Sequence, residues 1–339
     1  MDILSGQGIN PKHEYTVQDL VGIWDQHYES ITKKEGEKLM TKVDEEFHKE
    51  SLNLVKERGA NFFWQFFYAH NISLVQQYRQ ISSLALEVFV SGFTGLIMGM
   101  SLSGLPETYV GIFITPFNVL SIAPNLWLTV QVQFLSGLAI ALAASPAGTK
   151  IFSEELPIYW RNASSGHSTL AYFGAKTLSS SYRMALSALH FSALMYAFAT
   201  PIVPYTYHFL GTFLCYYGVY GLSAFVSMVV KRENATLLAV VIALLSAVFC
   251  GYGLTLKKVK SWGIYFFWAL QFNMWSAEAF YSHTLQIYET IYDNELANSD
   301  YGYSIGNTSL DYGMMFLIGS LWRVVAYLAM IFMNRDKQK

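Results

Sequence analysis

FSEELPIYWRNASSGHSTLAYFGAK, residues Phe152 to Lys176, is a polar island between two long apolar stretches. Asp, Glu, Lys and Arg are absent from Thr108 to Thr149 on one side and from Met184 to Val230 on the other. A bilayer core takes about 20 apolar residues per helical crossing, so the island reads as a water-exposed loop between membrane spans. Composition agrees. The 339-residue chain is 53% hydrophobic, 16% aromatic and 14% charged, with a mean hydropathy of +0.28, whereas a soluble domain carries about 25% charge. That balance argues against a water-soluble enzyme. A net charge of −2 provides no basic field, so nucleic acid is not an expected partner.

Outward from the island, the spans can be counted. Ile81 to Ser103 holds one charge, Glu87, and matches one crossing. Pro116 and Pro124 interrupt the next apolar run, and proline costs a helix interior about 3 kcal/mol. The second span is therefore placed at Leu126 to Ala144, with Gly104 to Asn125 as an apolar extracellular excursion. Met184 to Val230 is long enough for two spans turning at Pro201 to Pro204. Ala235 to Leu256 forms a fifth. Ser261 to Ala277 is short for a crossing and reads as re-entrant, and Met314 to Met333, with Arg323 inside, forms the sixth. An even number of spans keeps the basic N-terminal region and the tail Arg335, Lys337 and Lys339 on the cytosolic side. The cost is that Lys257, Lys258 and Lys260 fall outside. Before the spans, Lys33 to Arg58 reads as a solvated cytosolic helix. Phe62 to Arg79 follows, with Phe63, Phe66, Phe67, His70, Leu74 and Tyr78 on one stripe and Gln65, Asn71, Gln76 and Gln77 off it. This suits a helix in the membrane surface, or one packed on a soluble domain.

The expected fold is thus all-α: a polytopic integral membrane protein of six transmembrane helices, with an interfacial connecting helix and an extracellular re-entrant helix. Enzyme motifs are absent from the sequence. There is no GxxxxGK[ST] phosphate loop, no HExxH and no GxSxG, and the histidines lack metal-ligand spacing, so neither a catalytic residue nor a metal is expected. Leu4-Ser5-Gly6-Gln7 resembles a cassette signature but lacks its second glycine. Cys215 and Cys250 both sit in apolar runs, which leaves no CxxC site. Glu87 and Arg323 are intramembrane charges that either pair, line a path, or snorkel to an interface. His190, His208, Gln131 and Gln133 are either interhelical glue or ligands.

Several segments, in order, resemble the transmembrane domain of ABCG-type (White family) ATP-binding cassette transporters. The Glu154-Glu155, Tyr159-Trp160-Arg161, Ser165-Gly166 and Tyr172-Phe173 through Lys176 elements resemble that family's cytosolic loop, with spacing nearest to plant, algal and protist members. Gln76 to Gln80 resembles the end of its connecting helix. Asn234 to Leu238 with Phe249 to Gly251 resembles its fifth span, Asn273 to Phe280 its re-entrant helix, and Arg323 to Tyr327 its sixth span. The resemblance implies residues 1–60 as linker and tail of a nucleotide-binding domain missing from this chain, 61–80 as the connecting helix and 81–339 as the membrane domain. Within the last, 150–176 is the coupling loop and 257–311 the extracellular re-entrant region.

The same resemblance implies that Glu154, Glu155, Tyr159, Trp160, Arg161 and Asn162 couple to the nucleotide-binding domain, with Asn162 standing where relatives carry Glu. It implies a substrate cavity near Ile140, Ala143, Leu244 and Ala247, with Phe249 and Tyr252 as gate candidates, although the leucine pair that plugs related cavities is replaced by Tyr252-Gly253. ATP and Mg would bind the nucleotide-binding domain. The expected partners are that domain, a second transmembrane domain in a homo- or heterodimer, membrane lipid, and a hydrophobic or lipid-like cargo. The membrane is the plasma membrane or that of an organelle, with both termini cytosolic. Of four sequons, only Asn307 falls outside the cell on this topology. A non-transporting scaffold or regulator, and a secondary carrier or channel using Glu87 and Arg323, remain alternatives.

Overall fold

The computed structural model describes residues 60–103, 110–122 and 127–333, with helical pieces at 18–19, 21–22, 45–46 and 49–50. The expected helix over Lys33 to Arg58 and the tail-like Leu4 to Gln7 lie outside these apart from the short pieces. The chain forms two compact units, Met1–Ala60 and Asn61–Lys339, and the long helices belong to the second.

Twelve α-helices are described in that unit: α1 Phe62–Arg79, α2 Ile81–Leu102, α3 Trp127–Ser153, α4 Leu156–Ser164, α5 Thr169–Ala199, α6 Tyr205–Val229, α7 Arg232–Val248, α8 Leu256–Ser261, α9 Tyr265–Ala269, α10 Phe272–Ile287, α11 Asn294–Asn298 and α12 Thr308–Phe332. Among the described residues there is no strand, and Phe113 and Tyr292 form an antiparallel bridge. The molecule is an all-α polytopic membrane protein. Four stretches are long and apolar enough to cross a bilayer: Ile81–Leu102, Leu128–Ser164 (which contains most of α3), Tyr205–Val229 and Thr308–Phe332. The other two expected crossings fall on α5, which carries Lys176 and Arg183, and on α7. At 17 residues and about 1.5 Å per residue, α7 reaches about 25 Å, slightly less than a hydrocarbon core.

Local chemistry sets the helix ends. The Asn61 side chain accepts from the Trp64 backbone N–H at 3.0 Å and opens α1, a role short polar residues fill because the first N–H groups of a helix have no internal partner. Thr200, at φ 45°, closes α5 immediately before Pro201. The second span differs from the sequence expectation. Rather than ending at Ala144, α3 runs through Pro146 to Ser153. Hydroxyls bond to carbonyls on either side of the proline: Ser145 donates to the Ala141 carbonyl at 2.7 Å and Thr149 to that of Pro146 at 3.0 Å. The segment Ser261 to Ala277 is not one helix either. It divides into α8, α9 and the start of α10, and α10 is the long buried element, with every residue from Phe272 to Leu285 buried.

Small residues draw the helices together. A Cβ on Gly95 of α2 would overlap the Phe191 carbonyl of α5, and one on Gly99 would lie 2.9 Å from the Met195 carbonyl. Ala235, Ala239, Ala243 and Ala247, each fully buried, make a seam along α7. Without a hydrophobic drive between helices in lipid, this close backbone approach carries much of the association. We expect Gly95→Leu to lower stability by about 1–3 kcal/mol through overpacking. Gly313→Ala, in open space, should be neutral or slightly stabilising; thermal unfolding in detergent compares the two.

Candidate functional site

The polar island of the sequence folds into the end of α3, the short helix α4 and the first turns of α5. Pro157 sits in the first turn of α4, where its missing N–H costs nothing. Tyr159 is 2% exposed, in a small core with Phe152, Tyr172, Phe173 and Met330, and its hydroxyl donates to Thr169 Oγ1 at 3.3 Å. Burial raises the Tyr159 phenol above its ordinary pKa, so it stays a neutral hydrogen-bonding group. Trp160 packs against the same core. Pro157, Ile158 and Arg161 face outward. The helix thus has an anchored face and a free face.

Glu155 fastens this assembly to α5. Its Oε2 lies 2.6 Å from Lys176 Nζ and accepts from the Tyr172 hydroxyl at 3.4 Å. Lys176 also donates to Gln76 Oε1 of α1 at 3.0 Å. Burial depresses the Lys176 ammonium and the Glu155 carboxylate opposes that shift. Glu154 meets Arg232 at 3.5 Å in an exposed pair, a type of contact worth little. Asn162 is half-buried, its carbonyl accepting from the His167 N–H at 3.0 Å.

From Lys176 a polar ladder continues along α5. Gln65 Oε1 accepts from the Ser168 N–H at 2.8 Å, His70 Nδ1 lies 3.4 Å from the Ala175 carbonyl, and Gln77 donates to the Ser179 carbonyl at 3.0 Å. The glutamines placed off the aromatic stripe of α1 are therefore its bundle-facing contacts, while Phe63, Phe67 and Tyr78 of the stripe are exposed. Deeper in, Glu87 Oε2 accepts from Arg183 Nη2 at 2.5 Å and Nε at 3.1 Å. Glu87 Oε1 accepts from Ser187 at 3.2 Å and from the Tyr220 hydroxyl of α6.

Glu87 and Arg323 do not pair with each other. Arg323 Nη1 donates to the Tyr217 and Gly319 carbonyls at 2.8 and 2.9 Å, and its guanidinium lies 3.5 Å from the Tyr217 ring centroid. Both charges are satisfied inside the protein. Arg183 and Tyr220 were not singled out from sequence. The available signal was the spacing Lys176, Ser179, Arg183, Ser187, a polar stripe at helical period that crosses the boundary chosen for the third span.

The expected cavity residues lie elsewhere. Ile140, Ala143 and Ala247 are buried, Ala247 against Gly137 of α3 and Ile140 beside a small cavity that it lines with His208, Thr212 and Phe280, and Leu244 is half-buried. Phe249 packs edge-on against Trp268, ring centroids 4.9 Å apart. Tyr252 stacks on Phe134 at 5.3 Å. Asn307 is exposed just before α12. Among the described residues no group of three or more His, Cys, Asp or Glu side chains is placed to hold a metal.

The family described as ABC-2 type transporter matches residues 10–336. The chain is 32% identical over 250 residues to the ABC-type transporter claG of Penicillium crustosum, an alignment covering 74% of this chain and 34% of that protein. It is 22% identical over 196 residues to a white-brown complex homolog, protein 30, of Arabidopsis thaliana, covering 57% of this chain and 18% of that one. The chain thus spans about a third or less of the length of these relatives.

Removing one partner of the Glu87–Arg183 pair leaves a buried charge uncompensated, at a typical cost of about 3–5 kcal/mol. Glu87→Gln and Arg183→Met should each lower the unfolding midpoint in detergent markedly. The double variant should recover a large part of the loss, and strict additivity of the two would rule out the pairing as a stabilising contact.

Proposed function

This chain belongs to the ABC-2 type transporter family, and we propose that it is the transmembrane component of an ABCG-type transporter powered by ATP hydrolysis. The White-family resemblance of the sequence agrees with the name of the Arabidopsis relative, and the Penicillium relative is named an ABC-type transporter. On this reading the nucleotide-binding domain, which would hold ATP and Mg, is supplied outside these residues and grips the free face of α4.

The observation that carries the proposal is the two-faced α4 and its connection to α5. A push on Arg161 and Ile158 is transmitted to α5 through Tyr159–Thr169 and Glu155–Lys176. From there the ladder reaches α2 through Arg183–Glu87 and α6 through Tyr220. A rigid element with fixed polar contacts at both ends moves as a unit, which is the property a coupling device requires. Tyr159 and Trp160 are positioning residues here, and Arg161 is the contact residue.

A second transmembrane domain apposed on α3 and α7 would enclose a space lined by their outward residues, which include Leu135, Leu142, Val241 and Leu245, all exposed. Such a wall favours lipid-like or hydrophobic cargo. Ala247, packed at Gly137, then sets the spacing of the two helices, and Tyr252, stacked on Phe134, would gate one end. Nucleotide-driven closure would expel cargo because the two conformations bind it with different affinity.

The test uses the chain assembled with its cassette ATPase. Arg161→Ala and Ile158→Asp should lower cargo-stimulated ATPase by about tenfold, equivalent to ~1.4 kcal/mol, with membrane expression unchanged; full activity in both would remove α4 from the coupling path. Sterols, lipids and small hydrophobic compounds should stimulate, and stimulation by strongly hydrophilic compounds alone would refute the cargo class. Glycosidase treatment should shift only molecules that retain Asn307, since modification at Asn71, Asn162 or Asn234 would invert the topology.

A further inference from the structure

Glu278 of α10 and Asp311 of α12 lie on two helices that pack together, and both are buried, at 1% and 0% exposure. Neither Asp311 oxygen, nor Glu278 Oε2, meets a hydrogen-bond donor when both groups are carboxylates. The side chain within hydrogen-bonding reach of Asp311 is Glu278 itself. Glu278 has one further partner, the Ser304 backbone N–H.

The surroundings offer little compensation. Lys260 of α8 is the cation whose charge reaches Glu278, but it is exposed, donates to the Gly302 carbonyl at 2.7 Å and sits 5.1 Å from the Tyr265 ring centroid. Tyr265 of α9, Tyr303 of the loop between α11 and α12, and Tyr312 of α12 border the pair and add no cation. Nearby, His283 of α10 stacks on Tyr207 of α6 at 4.1 Å. Contrast Glu87, whose carboxylate receives a guanidinium, two hydroxyls and nothing acidic.

We propose that Glu278 and Asp311 hold a single proton between them, making a proton-binding latch that fastens the buried helix α10 to α12. Like charges this close and this dry cannot both ionise, and one shared proton converts two unsatisfied acceptors into a charge-assisted hydrogen bond. Losing that proton places two negative charges in the helix contact, so α10 separates from α12 or the contact takes up water. Basic pH loosens this end of the bundle, and protonation tightens it. The sign follows from linkage: the folded state binds the extra proton, so stability falls as pH rises through the range in which the proton leaves.

The full chain in lipid nanodiscs tests this without any ATPase, so the result is independent of the transport reading. Infrared spectra near neutral pH, with and without carbon-13 labelling of Asp and Glu, should contain a protonated-carboxyl stretch that disappears on alkaline titration. Its absence from the wild-type chain would overturn the proposal, and this measurement needs no variant. The unfolding midpoint should fall by several degrees between about pH 6 and about pH 9. Asp311→Asn and Glu278→Gln, each able to bond the remaining acid, should flatten that slope, whereas His283→Gln should leave it in place. A slope unchanged in both acid variants, or abolished by His283→Gln alone, would assign the pH response elsewhere.

Discussion

A carboxylate buried among helices must find a cation or give up its charge, and Glu87 resolves this by drawing Arg183 of α5 against α2. In low dielectric such a pair holds by geometry more than by net energy, because desolvation of both groups offsets most of the Coulomb gain. What it contributes is specificity. Only one rotation and one depth of α2 against α5 places Glu87 within reach of Arg183, Ser187 and the Tyr220 hydroxyl together. Gly95 and Gly99, which let the two backbones approach, have value only in that register. The glycine face and the ion pair therefore impose the same alignment on α2.

That alignment carries outward along α5. Because Lys176, Ser179, Arg183 and Ser187 share one face, the helix that pairs with Glu87 in the bundle also pairs with Glu155 below α4 and receives the glutamines of α1. The polar contacts are spread over more than three helical turns on one rigid element, and a shift of α4 cannot be absorbed locally without breaking one of them. The small core around Tyr159 and Phe173 gives α4 a hydrophobic footing, so its outward residues can be pushed without the helix peeling away.

Much of this was legible in the sequence, and the limits have physical causes. The polar island and the long apolar crossings follow from charge-free runs, and the helix over Phe62–Arg79 from its aromatic period. The end of the second span did not, because a crossing was drawn at the length of a bilayer core, whereas α3 continues as one helix through Pro146 to Ser153. The start of the third helix was set too late because Lys176 and Arg183 were read as marking water, whereas their partners, Glu155 and Glu87, come from other helices. The same cause hid Arg183 and Tyr220, and it led Glu87 and Arg323 to be weighed as partners. Ser261 to Ala277 has the hydropathy of a helix, but Gly263 at φ 73° breaks it, and burial on all sides then falls to α10. Position along the chain could not distinguish Ala143, which faces inward, from Leu142, which faces outward, since α3 is apolar all round.

The two ends of the bundle solve the problem of buried acids by different means, and the difference bears on what each end is able to do. Around α4 and α2, Glu155 and Glu87 are each met by a cation carried on α5, Lys176 and Arg183, so these contacts transmit a displacement between fixed, oppositely charged partners. At the α10 end two acids are buried together, the bordering groups are phenols, and the nearby Lys260 is exposed and engaged by the Gly302 carbonyl. A contact between two carboxyls has no fixed cation to hold it and depends on a particle that exchanges with water. An end built that way is the natural place for a bundle to open, because hydration of the contact removes the interaction that closed it. The ion-paired end provides the stiffness against which such an opening would occur.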